Sequence, residues 1–110
     1  MADTVLDVLK QAKANIAKFE NWSPQDGGSS EKNTHCAYTT IERQKREHWL
    51  ENGAVVILKK ACVFIHGHSK IALLNDGEAP ESIGKTPEER FKMIHEIYDK
   101  AIELAAEESK

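Results

Sequence analysis

The stretch at residues 54–66, AVVILKKACVFIH, decides whether the chain is mainly helical or partly β-structured. Its β-branched residues favour two short strands, but Lys59-Lys60 is a poor hairpin turn because it contains neither glycine nor asparagine. As a helix, the same stretch places four apolar residues on one side: Val55, Leu58, Cys62 and Ile65. Gly67 follows at a position where helices commonly end in the left-handed conformation. We therefore predict a helix here, ending close to Gly67.

The N-terminal segment carries a second helical pattern, in which apolar residues recur every three or four positions as far as Phe19. Thr4, followed three residues later by Asp7, is a capping-box pattern, and Asp3 is an alternative cap. These features predict a first helix from Thr4 to about Phe19.

A polar segment, NWSPQDGGSSEKN, follows at residues 21–33 and is rich in residues that favour turns. It predicts a long early loop, or a loose hairpin with Asp26-Gly27-Gly28 at its tip. Trp22 is costly to leave in water, so we expect it to anchor this segment on the core.

The remaining chain supplies two more helices. One begins near Ala37 and is predicted to end near Asn52-Gly53, and a short apolar piece ends later in the turn signal Asn75-Asp76-Gly77.

The clearest helix boundary in the chain is Thr86-Pro87-Glu88-Glu89, because threonine caps a helix, proline suits its first position and acids favour its positive end. The last helix is predicted to reach about Glu107. The inner side of this helix should carry Phe91, Ile94, Tyr98, Ala101 and Ala105. Together these patterns predict a mainly α fold, a compact bundle of about four helices with a long early loop or loose hairpin.

Length and composition restrict the class of protein. The 110 residues suit one small helical domain, 1–110, and the 40% hydrophobic and 30% charged content is typical of a globular chain. A net charge of −3 argues against a general nucleic-acid binder. The longest apolar run is far shorter than a membrane span, and we see no signal-peptide pattern, so we expect a cytoplasmic protein with no membrane partner. Two cysteines in a reducing compartment are expected to be free thiols.

Cysteine and histidine side chains are the candidates for a metal site. Cys62 and His66 are four residues apart on the predicted helix, and His68 and Cys36 could complete a zinc site. Structural zinc sites, however, usually contain two tightly spaced ligand pairs, and His35-Cys36 are adjacent residues that cannot easily bind one ion. The preferred interpretation is that Cys62 packs in the core and the histidines lie at a helix end. We therefore expect no metal and no cofactor.

Charge and polar residues suggest a binding surface. The middle of the chain has an excess of basic residues, whereas the segment from Thr86 onward has seven acids and four bases. Such asymmetry can orient a partner or a self-association, although it is often only a solvated surface. Phosphate-binding loops, paired catalytic carboxylates and metalloprotease motifs do not occur in the sequence, so catalysis has little support. The residues expected to bind are Trp22, Tyr38, Arg43, Arg46, Asn75 and Asp76.

The chain contains four short motifs: Trp22-Ser23, Cys36-Ala37-Tyr38-Thr39-Thr40-Ile41, Ile71-Ala72-Leu73-Leu74-Asn75-Asp76 and Thr86-Pro87-Glu88-Glu89. Together they resemble an uncharacterised family of small bacterial and phage domains. The family pattern is a tryptophan followed by a loop, then Cys-Ala-Leu-Gly-Ala-Ile, then Trp-Asn-Asp, and finally a threonine before a helix. Thr39 stands where the family has glycine, and Leu74 where it has tryptophan. The resemblance implies a helical middle of the chain and a phage or mobile-element accessory protein, but it implies no reaction.

Two functional hypotheses follow. The first is a non-enzymatic interaction protein that binds a host or phage protein, such as a defence component, in the host cytoplasm. If the chain also forms a homo-oligomer, an exposed stripe of Ile97, Ile102 and Leu104 is the expected contact surface. The second is a small-ligand or metal-binding domain, with hydrolase activity as an option, whose site lies where the Trp22–Cys36 loop meets Asn75-Asp76. We favour the first because the chain lacks a credible catalytic set.

Overall fold

The structure, a computed structural model, describes residues 4–22 and 35–108. These residues form five α-helices and one 3-10 helix, which confirms the predicted mainly α bundle. The Cα radius of gyration is 13.0 Å, which a compact domain of about 100 residues also has. The helices are α1 (Val5–Asn15), α2 (Thr39–Glu42), α3 (His48–His66), α4 (Ile71–Asp76) and α5 (Pro87–Glu108), with the 3-10 helix Phe19–Asn21 after α1.

The three long helices α1, α3 and α5 pack against one another and enclose the core, while α2 packs on α1 and α3, and α4 packs on α5. The buried residues of α3 come from one side of the helix, as its apolar spacing predicts. The side chains that fill the core from α3 are Leu50, Ala54, Ile57, Leu58, Ala61 and Cys62.

The stretch that decides the fold is helical, but the helix is longer than predicted. α3 runs without a break from His48 to His66, so the predicted helix end near Asn52-Gly53 is wrong. A Cβ atom on Gly53 would lie 2.8 Å from Cγ2 of Val5 in α1. Glycine at this position therefore allows α1 and α3 to approach closely and does not end a helix.

The predicted helix caps are confirmed at both ends of the chain. The Thr4 hydroxyl accepts from the backbone N–H of Asp7, whose carboxylate accepts from the N–H of Thr4. Thr86 and Glu89 form the same reciprocal pair at the start of α5. The C-cap of α3 is Gly67, whose φ of 81° is the predicted left-handed conformation.

α1 ends at Asn15 and not near Phe19, and a tertiary contact explains the difference. Nε2 of His95, in α5, lies 2.6 Å from the carbonyl oxygen of Ile16, directly after the helix. This contact pairs one of the carbonyl groups that a helix end leaves without an intrahelical partner. The chain then enters the 3-10 helix, and Trp22 is buried at 3% exposure, which confirms the predicted anchor. The loop or hairpin predicted at residues 21–33 lies almost entirely outside the described residues.

Candidate functional site

Two of the residues predicted to bind, Trp22 and Asn75, meet inside the core. Nε1 of Trp22 donates to Oδ1 of Asn75 over 2.7 Å, and the same oxygen accepts from the backbone N–H of Ala37 over 3.1 Å. Nδ2 of Asn75 donates to Oδ1 of Asp76 over 3.2 Å. Asn75 is only 1% exposed. These groups bond to one another and join three chain segments that are distant in sequence.

Arg90 completes this cluster from α5. Its Nη1 donates to the backbone carbonyl of Asn75 over 3.1 Å, in the last turn of α4, where carbonyl groups have no partner within the helix. Arg90 is 91% buried, and its Nε has no hydrogen-bond partner among the residues that the structure describes. Gly77 leaves the space that the guanidinium occupies, because a Cβ there would lie 2.8 Å from Nη1. Arg90 therefore caps α4 in a position that only glycine at residue 77 permits.

Tyrosine hydroxyls lie on the α2 side of the same core. Oη of Tyr98 donates to the carbonyl of Ala37 over 2.5 Å, and burial raises the pKa of Tyr98 well above its ordinary value, with smaller effects from Cys36 and Tyr38. Burial also raises the pKa of Tyr38, helped by the charges of Cys62 and Cys36. Both phenols are therefore neutral at physiological pH, and Tyr98 acts as a hydrogen-bond donor.

The predicted basic residues lie in two different places. Nη1 of Arg43 is 3.1 Å from Nδ1 of His35, and burial together with the Arg43 charge lowers the pKa of His35. The neutral imidazole can therefore accept a hydrogen bond from the guanidinium. Nε of Arg46 donates to Oε1 of Gln44 over 3.2 Å. Arg46 also borders an open groove of about 520 Å³, which is lined by Gln11, Asn15, Gln44, Lys45, Arg46, Glu47 and Leu50.

Tyr38 borders a different groove from Arg46. This second groove has a volume of about 390 Å³ and is lined by Tyr38, Glu42, His48, Glu51, Asn52 and Val55. The six residues predicted to bind are therefore distributed between the core cluster, the Arg43–His35 pair and two grooves.

The cysteine and histidine candidates have ordinary structural surroundings. Both cysteines are free thiols, and burial is the main cause that raises the pKa of Cys62 to about 11. Sγ of Cys36 accepts from the backbone N–H and the hydroxyl of Thr39, both over 3.4 Å. The rings of His66 and His68 stack at 6.2 Å, and Nε2 of His68 is 2.7 Å from Oε1 of Glu81. Within residues 4–22 and 35–108, no three cysteine, histidine or acidic side chains are placed to share a metal ion.

Most of the exposed large hydrophobic side chains of the described residues lie on α3. In the described part of the chain, seven large hydrophobic side chains are exposed, and five of them belong to α3. Trp49 is 61% exposed, Val56 52% and Val63 49%, and all three lie on the side of α3 that faces away from α1 and α5. We call this surface the α3 face and define it by Trp49, Val56, Lys59, Lys60 and Val63.

The two charged residues of the α3 face are both basic, and the carboxylate of Glu47 contacts its first residue, Trp49. Lys59 and Lys60 are exposed between Val56 and Val63. Neither lysine forms an ion pair within the part of the chain that the structure describes. The α3 face therefore combines uncovered apolar area with uncompensated positive charge.

The stripe of α5 that was predicted to be an exposed dimer contact, Ile97, Ile102 and Leu104, is not fully exposed. Ile97 is fully buried and belongs to the core, whereas Ile102 and Leu104 are partly buried and pack against that core. Sequence periodicity placed Ile97 beside the inner stripe of α5, but packing of α1 and α3 on α5 covers a wider part of the helix.

Sequence reasoning missed Trp49, Val56 and Val63 as functional candidates. The signal that identifies them is that residues 55–58 and 63–65 are apolar without interruption, so apolar residues occur on every side of the helix. A helix of this kind is normally enclosed. α3 has only one side in the core, so apolar residues on its outer side need another explanation.

Comparison of the chain with protein-family models, with curated proteins and with solved structures found no significant match. The resemblance to the family of small bacterial and phage domains stays a prediction. In the described residues, no helix has the length and apolar character that crossing a bilayer requires.

Proposed function

We propose that the protein is a non-enzymatic interaction protein that binds another protein through the α3 face. The observation that carries this proposal is the exposure of Trp49, Val56 and Val63 along one side of a single helix. Large exposed apolar side chains concentrated on one side of a helix mark a site of association more often than scattered ones do. Tryptophan is also among the residues that contribute most to binding energy at protein interfaces.

The packing of α3 favours binding of a partner without a change in the backbone of the helix. The helix packs on both α1 and α5, and the buried side chains on its inner side fix its position. Nε1 of Trp49 donates to Oε2 of Glu47 over 2.7 Å, which holds the indole at the start of the face. A surface that is already ordered loses little conformational entropy on binding.

The proposed partner is a protein of the host. The resemblance to small phage and bacterial domains supports a phage or mobile-element accessory protein that acts on a host protein, such as a defence component, in the host cytoplasm. The α3 face supports protein binding independently of that resemblance, so the two parts of the proposal are tested separately.

Affinity capture with matched variants tests the proposal. Val56→Glu places a charge in the middle of the α3 face, and because Val56 is half exposed we expect a change in stability of less than about 1 kcal/mol. Lys92→Glu, on the exposed side of α5, is the control for an added carboxylate. The wild type and Lys92→Glu should retain the same protein from a host lysate, and the purified pair should bind with at least about tenfold weaker affinity in Val56→Glu. Equal binding by all three proteins would place the binding surface elsewhere and contradict the proposal.

A further inference from the structure

The apolar residues of the α3 face form a straight line. Trp49, Val56 and Val63 are separated by seven residues each, which is two helical turns, so they follow one another along the axis over about 21 Å. They occupy one of the two seam positions of a heptad repeat, and the other position carries Asn52, Lys59 and His66, so the apolar stripe is one residue wide. A helix that lies along α3 for two to three heptads would cover all three apolar residues.

The charge of the face indicates which helix fits. Lys59 and Lys60 lie between Val56 and Val63, and residues 52–66 contain no Asp or Glu. Because the ammonium groups of both lysines have no ion-pair partner in the described part of the chain, they are available to a partner. Charged residues beside an apolar seam set the choice of partner in paired helices.

We propose that the occupant of the α3 face is an amphipathic helix of another protein, with acidic residues beside its apolar stripe. This inference rests on the proposed function and adds the chemistry of the partner. The apolar stripe of the occupant covers Trp49, Val56 and Val63, and its carboxylates pair with Lys59 and Lys60. The apolar contacts supply most of the affinity, and the ion pairs select the partner.

Two other occupants fit the charges less well. A second copy of the chain would place Lys59 and Lys60 of both protomers in one interface, and like charges at an interface are unfavourable. An anionic bilayer would meet the lysines, but it extends over a much wider surface of a chain whose net charge is −3. An acidic helix contacts only the α3 face, whose charged residues, Lys59 and Lys60, are both basic.

Two synthetic peptides test the inference with the full chain. Each is a helical peptide of three heptads with the same leucine stripe, and the residues beside the stripe are glutamate in one peptide and lysine in the other. Both are used at concentrations where sedimentation shows them to be monomeric, and binding is measured by titration calorimetry. We expect the glutamate peptide to bind about tenfold more tightly than the lysine peptide at low salt, with a smaller ratio at high salt. The double variant Lys59→Glu/Lys60→Glu should reverse the preference, and Lys92→Glu should leave it unchanged.

The outcomes separate this inference from the proposed function. If both peptides bind equally and Val56→Glu weakens both, the face binds helices but the acidic partner is overturned. Binding of neither peptide also overturns the inference, while affinity capture decides the proposed function on its own. Binding to phosphatidylglycerol vesicles that depends on Lys59 and Lys60, without a peptide preference, overturns it in favour of a bilayer. A dimer in sedimentation equilibrium that Val56→Glu dissociates overturns it in favour of a second copy.

Discussion

The indole N–H of Trp22 donates to Oδ1 of Asn75 in the core, although 53 residues separate the two in sequence. The same oxygen accepts from the backbone N–H of Ala37, so one side-chain atom connects the segments before α2, within α4 and after the 3-10 helix. Asn75 is therefore the residue through which these connections are held together, and its replacement should have a large effect on stability.

We predict that Asn75→Ala lowers the free energy of unfolding by about 3 kcal/mol, because two buried donors lose their acceptor and the pocket loses volume. Urea unfolding followed by circular dichroism measures the change. Asp76→Ala is the control, since Asp76 is less buried and accepts one hydrogen bond from Asn75. It should cost less than about 1 kcal/mol. Equal losses in the two variants would contradict the role assigned to Asn75.

The left-handed glycines Gly67 and Gly77 should differ in their tolerance of alanine. Both have a φ near 80°, which costs any other residue about 1–2 kcal/mol. A Cβ on Gly67 would meet no atom of a non-neighbouring described residue within 4 Å, whereas a Cβ on Gly77 would lie 2.8 Å from Nη1 of Arg90. We predict that Gly77→Ala costs at least about 1 kcal/mol more than Gly67→Ala in thermal or urea unfolding, because overpacking adds to backbone strain. The extra destabilisation of Gly77→Ala over Gly67→Ala should become smaller when Arg90 is also replaced by alanine. If it does not change, contact with Arg90 is not its cause.

Gly53 allows a direct test of why α3 is continuous. Alanine in the interior of a helix is normally favoured over glycine by about 1 kcal/mol. Here its Cβ would lie 2.8 Å from Cγ2 of Val5, so we predict that Gly53→Ala is destabilising despite the better propensity. In a Val5→Ala background the contact is removed, and Gly53→Ala should then stabilise the protein by about 0.5–1 kcal/mol. Measured melting temperatures of the four proteins check both signs, and a stabilising Gly53→Ala in the wild type would refute the argument.

The features that sequence reasoning predicted correctly are local ones. The Thr4–Asp7 and Thr86–Glu89 pairs lie three residues apart, and Gly67 directly follows its helix, so their chemistry is visible within a few positions. The helical choice for residues 54–66 was also correct, because the spacing of the buried residues follows a helical period.

The features that sequence reasoning did not predict depend on residues that are distant in sequence but close in space. Gly53 looks like a helix end until Val5 of α1 is seen beside it, and α1 ends early where His95 of α5 meets the carbonyl of Ile16. The same limit applies to the candidate site. Periodicity shows that α3 is apolar on several sides, but which side stays uncovered is decided by where α1 and α5 pack.

The two thiols should differ in reactivity. Cys62 is fully buried and its pKa is raised to about 11, mainly by burial, whereas Cys36 is partly exposed. Because the thiolate is the reactive form, we predict that iodoacetamide at pH 8 modifies Cys36 and leaves Cys62 unmodified in the folded protein. In guanidinium chloride both should react. Mass spectrometry of tryptic peptides measures the two sites, and rapid modification of Cys62 without denaturant would contradict its place in the core.

Glu81 should make stability depend on pH in the acidic range. A hydrogen bond with His68 is the main cause that lowers the pKa of Glu81 from its ordinary 4.5, and the charges of His68 and His66 act in the same direction. Since the folded-state pKa is below the unfolded one, the carboxylate stabilises the fold above about pH 4.5, and this contribution is lost as the pH falls through the lower folded value. We predict that the wild type exceeds Glu81→Gln in unfolding free energy at pH 6 and that the difference disappears towards pH 3.

Glu96→Gln, at an exposed site on α5, is the control and should show no such trend in urea unfolding at the same pH values. A difference between the wild type and Glu81→Gln that stays constant from pH 6 to 3 would show that the carboxylate charge is not what stabilises this contact.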